Sequence, residues 1–422
     1  MYLNKLDNLK KELLIFIILI IFFYRSPYIF LNGRFMAEEG TIFFANAYKY
    51  GFLYSLFFVD FNSGYLNLWA NLSGIISNFF SLLLAPIISN YLALIPKIMI
   101  LYLSLYKNSF LFNGFIYKIL FCLIVFLSPL NVPEIWLNSI NSQIFFCIIA
   151  FILCFLKYSK DSKNYFYLML IFLSGLTGIY SCVLLPIFYY KFFVYKTKQD
   201  LLNFIVLSFC TISQLAIVVY AKTSNLIYSG KLNFIDTEIL ISYAYNVLIK
   251  IFIGTSLTKY IYYNYLNIGL FTLVVSAIIV IFIICLLLIY LIKRINLINL
   301  DDKIIILSLF YALLATSVIV MIGAIDKQVA GRYAALPAFY TLSLTLVFFK
   351  IFSNNKIKYL FLCLLSFSIL SGAYEFRPPK EHNHYIDCNG CPNWTNEVNK
   401  FYNDKDYILK IWPYPKKGMP LN

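Results

Sequence analysis

The residues with the greatest chemical potential gather in a few polar stretches of an otherwise apolar chain. Arg34-Phe-Met-Ala-Glu-Glu-Gly-Thr sets Glu38 and Glu39 side by side ahead of an apolar segment. A carboxylate at a membrane surface can serve as general base, taking the proton of a hydroxyl as that hydroxyl attacks an electrophilic carbon. The same pair would also suit the first turn of a helix, where the dipole favours acidic side chains. A second cluster reads Asp60-Phe-Asn-Ser-Gly-Tyr-Leu-Asn-Leu-Trp. Turn formation accounts for Asn62, Ser63 and Gly64. It leaves Asp60, Tyr65 and Trp69, of which an aromatic belt at a membrane interface would explain the two rings.

Two further clusters and the tail complete the set. In Pro133-Glu-Ile-Trp-Leu-Asn-Ser-Ile-Asn-Ser-Gln, the amides of Asn138, Asn141 and Gln143 sit where the chain turns back into apolar sequence and need partners there. They could bind ligand hydroxyls or cap the helix that follows. In Asp326-Lys-Gln-Val-Ala-Gly-Arg-Tyr, Arg332 opens an apolar helix on the side where the positive-inside rule disfavours a cation. A guanidinium offers a planar fork of donors that suits a phosphate; pairing with Asp326 or with a lipid headgroup is the alternative. The tail carries His382, His384, Cys388 and Cys391. These are zinc-type ligands, but in an oxidising compartment a Cys388–Cys391 disulfide is expected instead, and no metal site is assigned.

The elements that must position these residues follow from composition. The chain is 61% hydrophobic and 13% charged, against about 45–50% and about 25% in soluble domains. Apolar runs of about twenty residues recur from Leu13 to Leu370, each able to cross the hydrocarbon layer. In lipid the backbone must pair within the segment, so the runs are helices. The net charge of +15 is scattered over short loops and forms no stripe, which argues against nucleic acid and for topology.

Lys-rich loops placed inside give about eleven spans, a cytoplasmic N-terminus on a retained first helix (Leu13 to Phe30), and an external C-terminus. The fold class is therefore all-α, a polytopic transmembrane helical bundle. A first external loop, 32–79, holds two helices lying in the interface, Thr41–Phe58 and Tyr65–Phe80. Later spans are expected over 80–106, bent at Pro86 or Pro96, then 116–131, 142–157, two short ones within 164–193, and 201–221. The last four fall at 265–292, 303–324, 333–351 and 356–373. The stretch 222–264 is expected outside and interfacial. The transmembrane domain is 1–373 and the tail 374–422.

In this arrangement the chain resembles the integral membrane glycosyltransferases of the GT-C fold, and within them an uncharacterised bacterial branch. The resemblance rests on Glu38-Glu39-Gly40, Phe43-Phe44, Gly64-Tyr65-Leu66, the Asn138–Gln143 segment and Gly331-Arg332-Tyr333. Many such enzymes carry Asp at the catalytic position, where this chain offers Glu, and many end in a larger soluble domain. The resemblance implies a polyprenyl-phosphate-linked sugar donor with its phosphate near Arg332, and Glu38 or Glu39 as base in an inverting transfer. Asp60, Tyr65, Asn138, Asn141, Gln143 and Tyr333 would bind substrate. The acceptor would be a glycan, lipid or protein at the outer face of a bacterial cytoplasmic membrane. A divalent metal is conceivable there and is not predicted. A transporter or flippase for lipid-linked sugars, or a polysaccharide polymerase, is the alternative; a transporter should show repeats and polar residues near mid-membrane.

Overall fold

The computed structural model describes residues 2–112, 114–130, 132–161, 163–227, 237–268, 299–324, 329–352, 355–376, 385–386, 391–413 and 417–422. Cys388, both histidines, Asp326 and most of the span expected over 265–292 lie outside them.

The chain begins with α1 (Tyr2–Arg25), which starts earlier than the apolar run and stops at Ser26, where Pro27 opens a short α2 (Pro27–Asn32). Proline is readily accepted in a first helical turn because its missing N–H is unpaired there anyway. The first loop holds a π-helical turn, Glu39–Phe44, running into α3 (Ala45–Leu56), and then α4 (Leu68–Asn78). Two helices were expected over these stretches. Helices α5 (Ala85–Tyr106), α6 (Phe115–Leu127), α7 (Ser142–Cys154), α8 (Tyr165–Leu176), α9 (Leu185–Tyr195) and α10 (Lys198–Thr223) follow the apolar runs. The bend residue of α5 resolves into two roles, Pro86 in its first turn and Pro96 inside it.

Beyond α10 the structure departs from the sequence reading. The stretch expected to lie along the interface contains α11 (Thr237–Tyr243), a π-helical turn, and α12 (Lys250–Ile268), kinked at Gly254. From Glu238 to Thr258 this run is long and apolar enough to cross a membrane. Asn246, Lys250 and the kink glycine disguise its length in sequence. Then come α13 (Leu300–Gly323), α14 (Arg332–Ile351), α15 (Asn355–Tyr374) and, in the tail, α16 (Trp394–Asn403) with an antiparallel pair, β1 (Leu409–Ile411) and β2 (Lys417–Met419).

Among the described residues, six helical runs are long and apolar enough to span, namely α5, α10, Glu238–Thr258, α13, α14 and Lys356–Tyr374; four shorter apolar helices accompany them. The outer faces fit lipid. On α10, Ile205, Phe209, Ile212, Leu215 and Val219 form one helical stripe and each is more than half exposed. An apolar surface of that extent is tolerable where the surroundings are themselves apolar. The centre is α7, every residue of which is buried. It packs between α5 and α8, and Phe151 meets Phe339 and Tyr340 of α14 edge to face.

The tail is tied to the first loop. Val398, Phe401, Leu409, Ile411 and Met419 share a core with Phe35, Phe44 and Leu82, and Trp394 Nε1 donates to the Leu82 carbonyl at 3.0 Å. Tyr385 is buried beside Asn90, whose amide nitrogen donates to the Tyr385 hydroxyl at 2.9 Å. The Arg34 guanidinium reaches the Tyr385 carbonyl at 2.6 Å.

Candidate functional site

A cavity of about 610 Å³ lies between the first loop, the N-terminal end of α7 and the start of α14. Glu38, Asp60, Tyr65, Asn141, Gln143, Arg332 and Tyr333 all line it. Its other wall is apolar and includes Val218 of α10, Ile227 and Ile319 of α13.

The two glutamates have separate positions. Glu38 borders the cavity. Glu39 opens the π-helical turn, is buried, and does not border it. Its Oε1 accepts from Ser89 Oγ (2.7 Å), the Ser139 N–H (2.8 Å) and Ser139 Oγ (2.7 Å), and its Oε2 from the Met36 N–H (3.1 Å). Burial pushes the Glu39 carboxyl above its ordinary value against the pull of those donors. With both oxygens engaged by three segments of chain, Glu39 ties the first loop to α5 and to the segment before α7.

Asp60 and Tyr65 are held by a turn and by α10. The Asp60 carboxylate accepts from the Asn62 N–H at 3.2 Å and from the Ser63 hydroxyl. Gln214 grips the next residue from both sides, its Oε1 accepting from Leu66 N at 3.0 Å and its Nε2 donating to Leu66 O at 2.9 Å. Asn67 caps α4 by accepting from Ala70 N and donates to Ile140 O at 3.0 Å. Tyr65 accepts from Gln143 Nε2 at 3.1 Å, and burial raises its hydroxyl above the usual phenol value.

The amides divide in the same way. Asn138 stands behind the cavity, donating to Glu134 O at 2.6 Å and accepting from Asn141 N at 2.9 Å, so it shapes the turn. Asn141 donates to Glu134 O at 2.9 Å. Its Oδ1, like Gln143 Oε1, is buried without a hydrogen-bond partner among the described residues. Buried acceptors are rarely left so, and both residues line the cavity. Gly178, at φ +80°, leaves the room for Gln143: a Cβ there would collide with its Oε1.

Arg332 is aimed by a residue to which the sequence reading gave no role. Glu134 Oε1 lies 3.4 Å from Arg332 Nε, and Glu134 Oε2 accepts the Arg332 backbone N–H at 3.3 Å. Gly331, at φ +56°, brings the chain so close that a Cβ would sit 2.5 Å from Glu134 Oε2. The available signal was an acid on the same turn as Asn138, and an arginine whose charge needed an answer. Among the described residues no three His, Cys, Asp or Glu side chains come together as a metal site would require. Cys391 is disulfide-bonded, while Cys388 lies outside the described residues. Compared with known proteins, the chain matches no family model, no curated protein and no solved structure.

Proposed function

We propose that this chain is a GT-C-like membrane glycosyltransferase, moving a sugar from a polyprenyl-phosphate-linked donor to a hydroxyl of a cell-envelope glycan, lipid or protein. The observation that carries the reading is the composition of one cavity. A carboxylate residue (Glu38), an arginine (Arg332) and two amide residues (Asn141 and Gln143) line one space whose opposite wall is apolar. A ligand that is at once sugar, phosphate and hydrocarbon has a counterpart for each part there.

In the proposed reaction Glu38 takes the proton from the acceptor hydroxyl, and that oxygen attacks the anomeric carbon from the face opposite the phosphate. A new glycosidic bond forms, the bond from carbon to phosphate oxygen breaks, and the lipid phosphate leaves with the electron pair. Arg332 meets the negative charge gathering on that phosphate, where a fixed cation acts more strongly than in water. Asn141 and Gln143 border and orient the sugar, Asp60 and Tyr65 border the acceptor side, and Tyr333 flanks Arg332. Glu39 is a structural acid in this scheme, as is Asn138. The site would open on the outer face of a bacterial cytoplasmic membrane.

The test is to incubate the purified chain with a panel of polyprenyl-phosphate sugars and follow donor consumption. Release of polyprenyl phosphate by the wild type and not by Glu38→Gln supports the reading. Movement of an intact lipid-linked sugar across a vesicle bilayer, with no donor consumed, would instead identify a transporter.

A further inference from the structure

A second cavity, of about 400 Å³, opens at the opposite end of the bundle, where α5 passes to α6. It is lined by Lys11 of α1, Lys118 of α6 and Lys157 just after α7, with Asn108, Gly114 and Phe115 between them. Two other lysines at this end are neutralised. Lys191 pairs with Asp200 and Lys350 with Asp302, each at 2.8 Å. The three cavity lysines have no carboxylate partner among the described residues. Lys118 donates to the carbonyls of Leu105 (3.0 Å) and Lys107 (3.2 Å), Lys11 to the Asn8 side chain (3.3 Å), and Lys157 lies over the Phe110 ring at 4.9 Å. Carbonyls and rings leave the net charge in place, and Lys11 and Lys118 repel each other.

The cavity also receives a helix N-terminus. Gly114 precedes α6 and provides no side-chain cap, so among the described residues the first-turn N–H groups have no side-chain cap, and with the positive end of the helix dipole they add to the three ammonium groups. Three cations from separate segments and a helix start with a glycine at its cap, around a space large enough for a ligand, form an anion site. Beside it, Ile116 is 56% exposed on the flank of α6, as suits a neighbour with hydrocarbon chains.

We propose that this cavity binds a phosphate group, presented either as the headgroup of an anionic phospholipid in the leaflet opposite the glycosyl-transfer cavity or as free inorganic phosphate. The site is independent of the function proposed above, since it shares no residue with the larger cavity.

The full chain, purified in detergent, is titrated with inorganic phosphate against chloride at matched ionic strength, following thermal unfolding. In parallel it is recovered from vesicles of phosphatidylcholine mixed with phosphatidylglycerol, and retained lipid is counted by native mass spectrometry. Retention of phosphatidylglycerol without saturation by phosphate identifies a headgroup site. Saturable stabilisation by phosphate in detergent identifies a free-phosphate site. In either case Lys157→Gln, an exposed position that leaves the fold intact, weakens binding about fivefold, and Lys11→Gln/Lys118→Gln/Lys157→Gln about a hundredfold. The proposal is overturned if neither phosphate nor phosphatidylglycerol outdoes its control, or if Lys157→Gln binds as the wild type does.

Discussion

Glu134 holds Arg332 by two contacts at once, one to the side-chain Nε at 3.4 Å and one to the backbone N–H at 3.3 Å. The first fixes where the guanidinium points and the second fixes where α14 begins. The side chains are 28% and 36% exposed, so water screens the ion pair and its value lies more in aim than in stability. Glu134→Ala is expected to lower turnover about ten- to a hundredfold by misplacing Arg332, while changing stability by only about 1 kcal/mol. Donor consumption and thermal unfolding measured on the same preparation separate the two effects. Equal turnover by Glu134→Ala and wild type would show that Arg332 needs no aiming.

The two adjacent glutamates should give opposite phenotypes. Glu38→Gln is expected to fold normally and lose transfer, because the amide keeps the shape and lacks the base. Glu39→Gln is expected to lose about 1–3 kcal/mol of stability, since either orientation of its amide turns an NH₂ towards a backbone N–H, that of Met36 or of Ser139. Scanning fluorimetry in detergent distinguishes them. A stable Glu39→Gln protein without activity, beside an active Glu38→Gln protein, would reverse the assignment.

Gly331→Ala tests the close approach of the chain to Glu134. Alanine at φ +56° is strained, and its Cβ would press on the Glu134 carboxylate. A loss of about 1–3 kcal/mol is expected. In the Glu134→Ala background the steric part should disappear, and a double-mutant cycle measures it. Strictly additive effects would mean that the two residues do not meet.

Acid should loosen the tail before the membrane bundle. Burial opposes ionisation of Glu397, but the Tyr407 hydroxyl, the Lys410 N–H and Lys400 outweigh it, so its carboxyl sits below the ordinary value. A depressed carboxylate contributes stability that is complete above the unfolded pKa and is lost as pH falls through the folded one. The contribution should therefore fade below about pH 4.3. Fluorescence of Trp394 and protease sensitivity of the tail should change in that window, and Glu397→Gln should abolish the pH dependence. An unchanged profile in Glu397→Gln would assign the transition to another group.

The sequence made some of this visible and concealed the rest for identifiable reasons. Arg332 and the acidic pair stood out because a charge beside lipid demands a purpose, and the polar stretches holding Asp60, Tyr65, Asn141 and Gln143 stood out against an apolar chain. Which of Glu38 and Glu39 borders the cavity depends on the rotation of a π-helical turn, and adjacent residues of one type carry no periodicity from which to read it. Glu134 was in view on the same turn as Asn138, but its partner lies 198 residues away. The tail's attachment had a signal in Trp394, Val398 and Phe401, spaced four and three apart on one helical face. Its destination against Phe35, Phe44 and Leu82 did not, since packing between distant segments leaves no local pattern.

The complete enclosure of α7 bears on the order of synthesis. A ribosome delivers this helix to the membrane long before α14 exists, because Cys147 and its neighbour Tyr340 are 193 residues apart. Until then Phe151 lacks the rings of Phe339 and Tyr340 and must rest against lipid or a passing chaperone. Maturation therefore includes a late step in which acyl chains leave a slot beside α7 and α14 takes it. Truncations ending before Arg332 should insert into the membrane and still be degraded, with the defect lying in closure of the bundle and not in insertion.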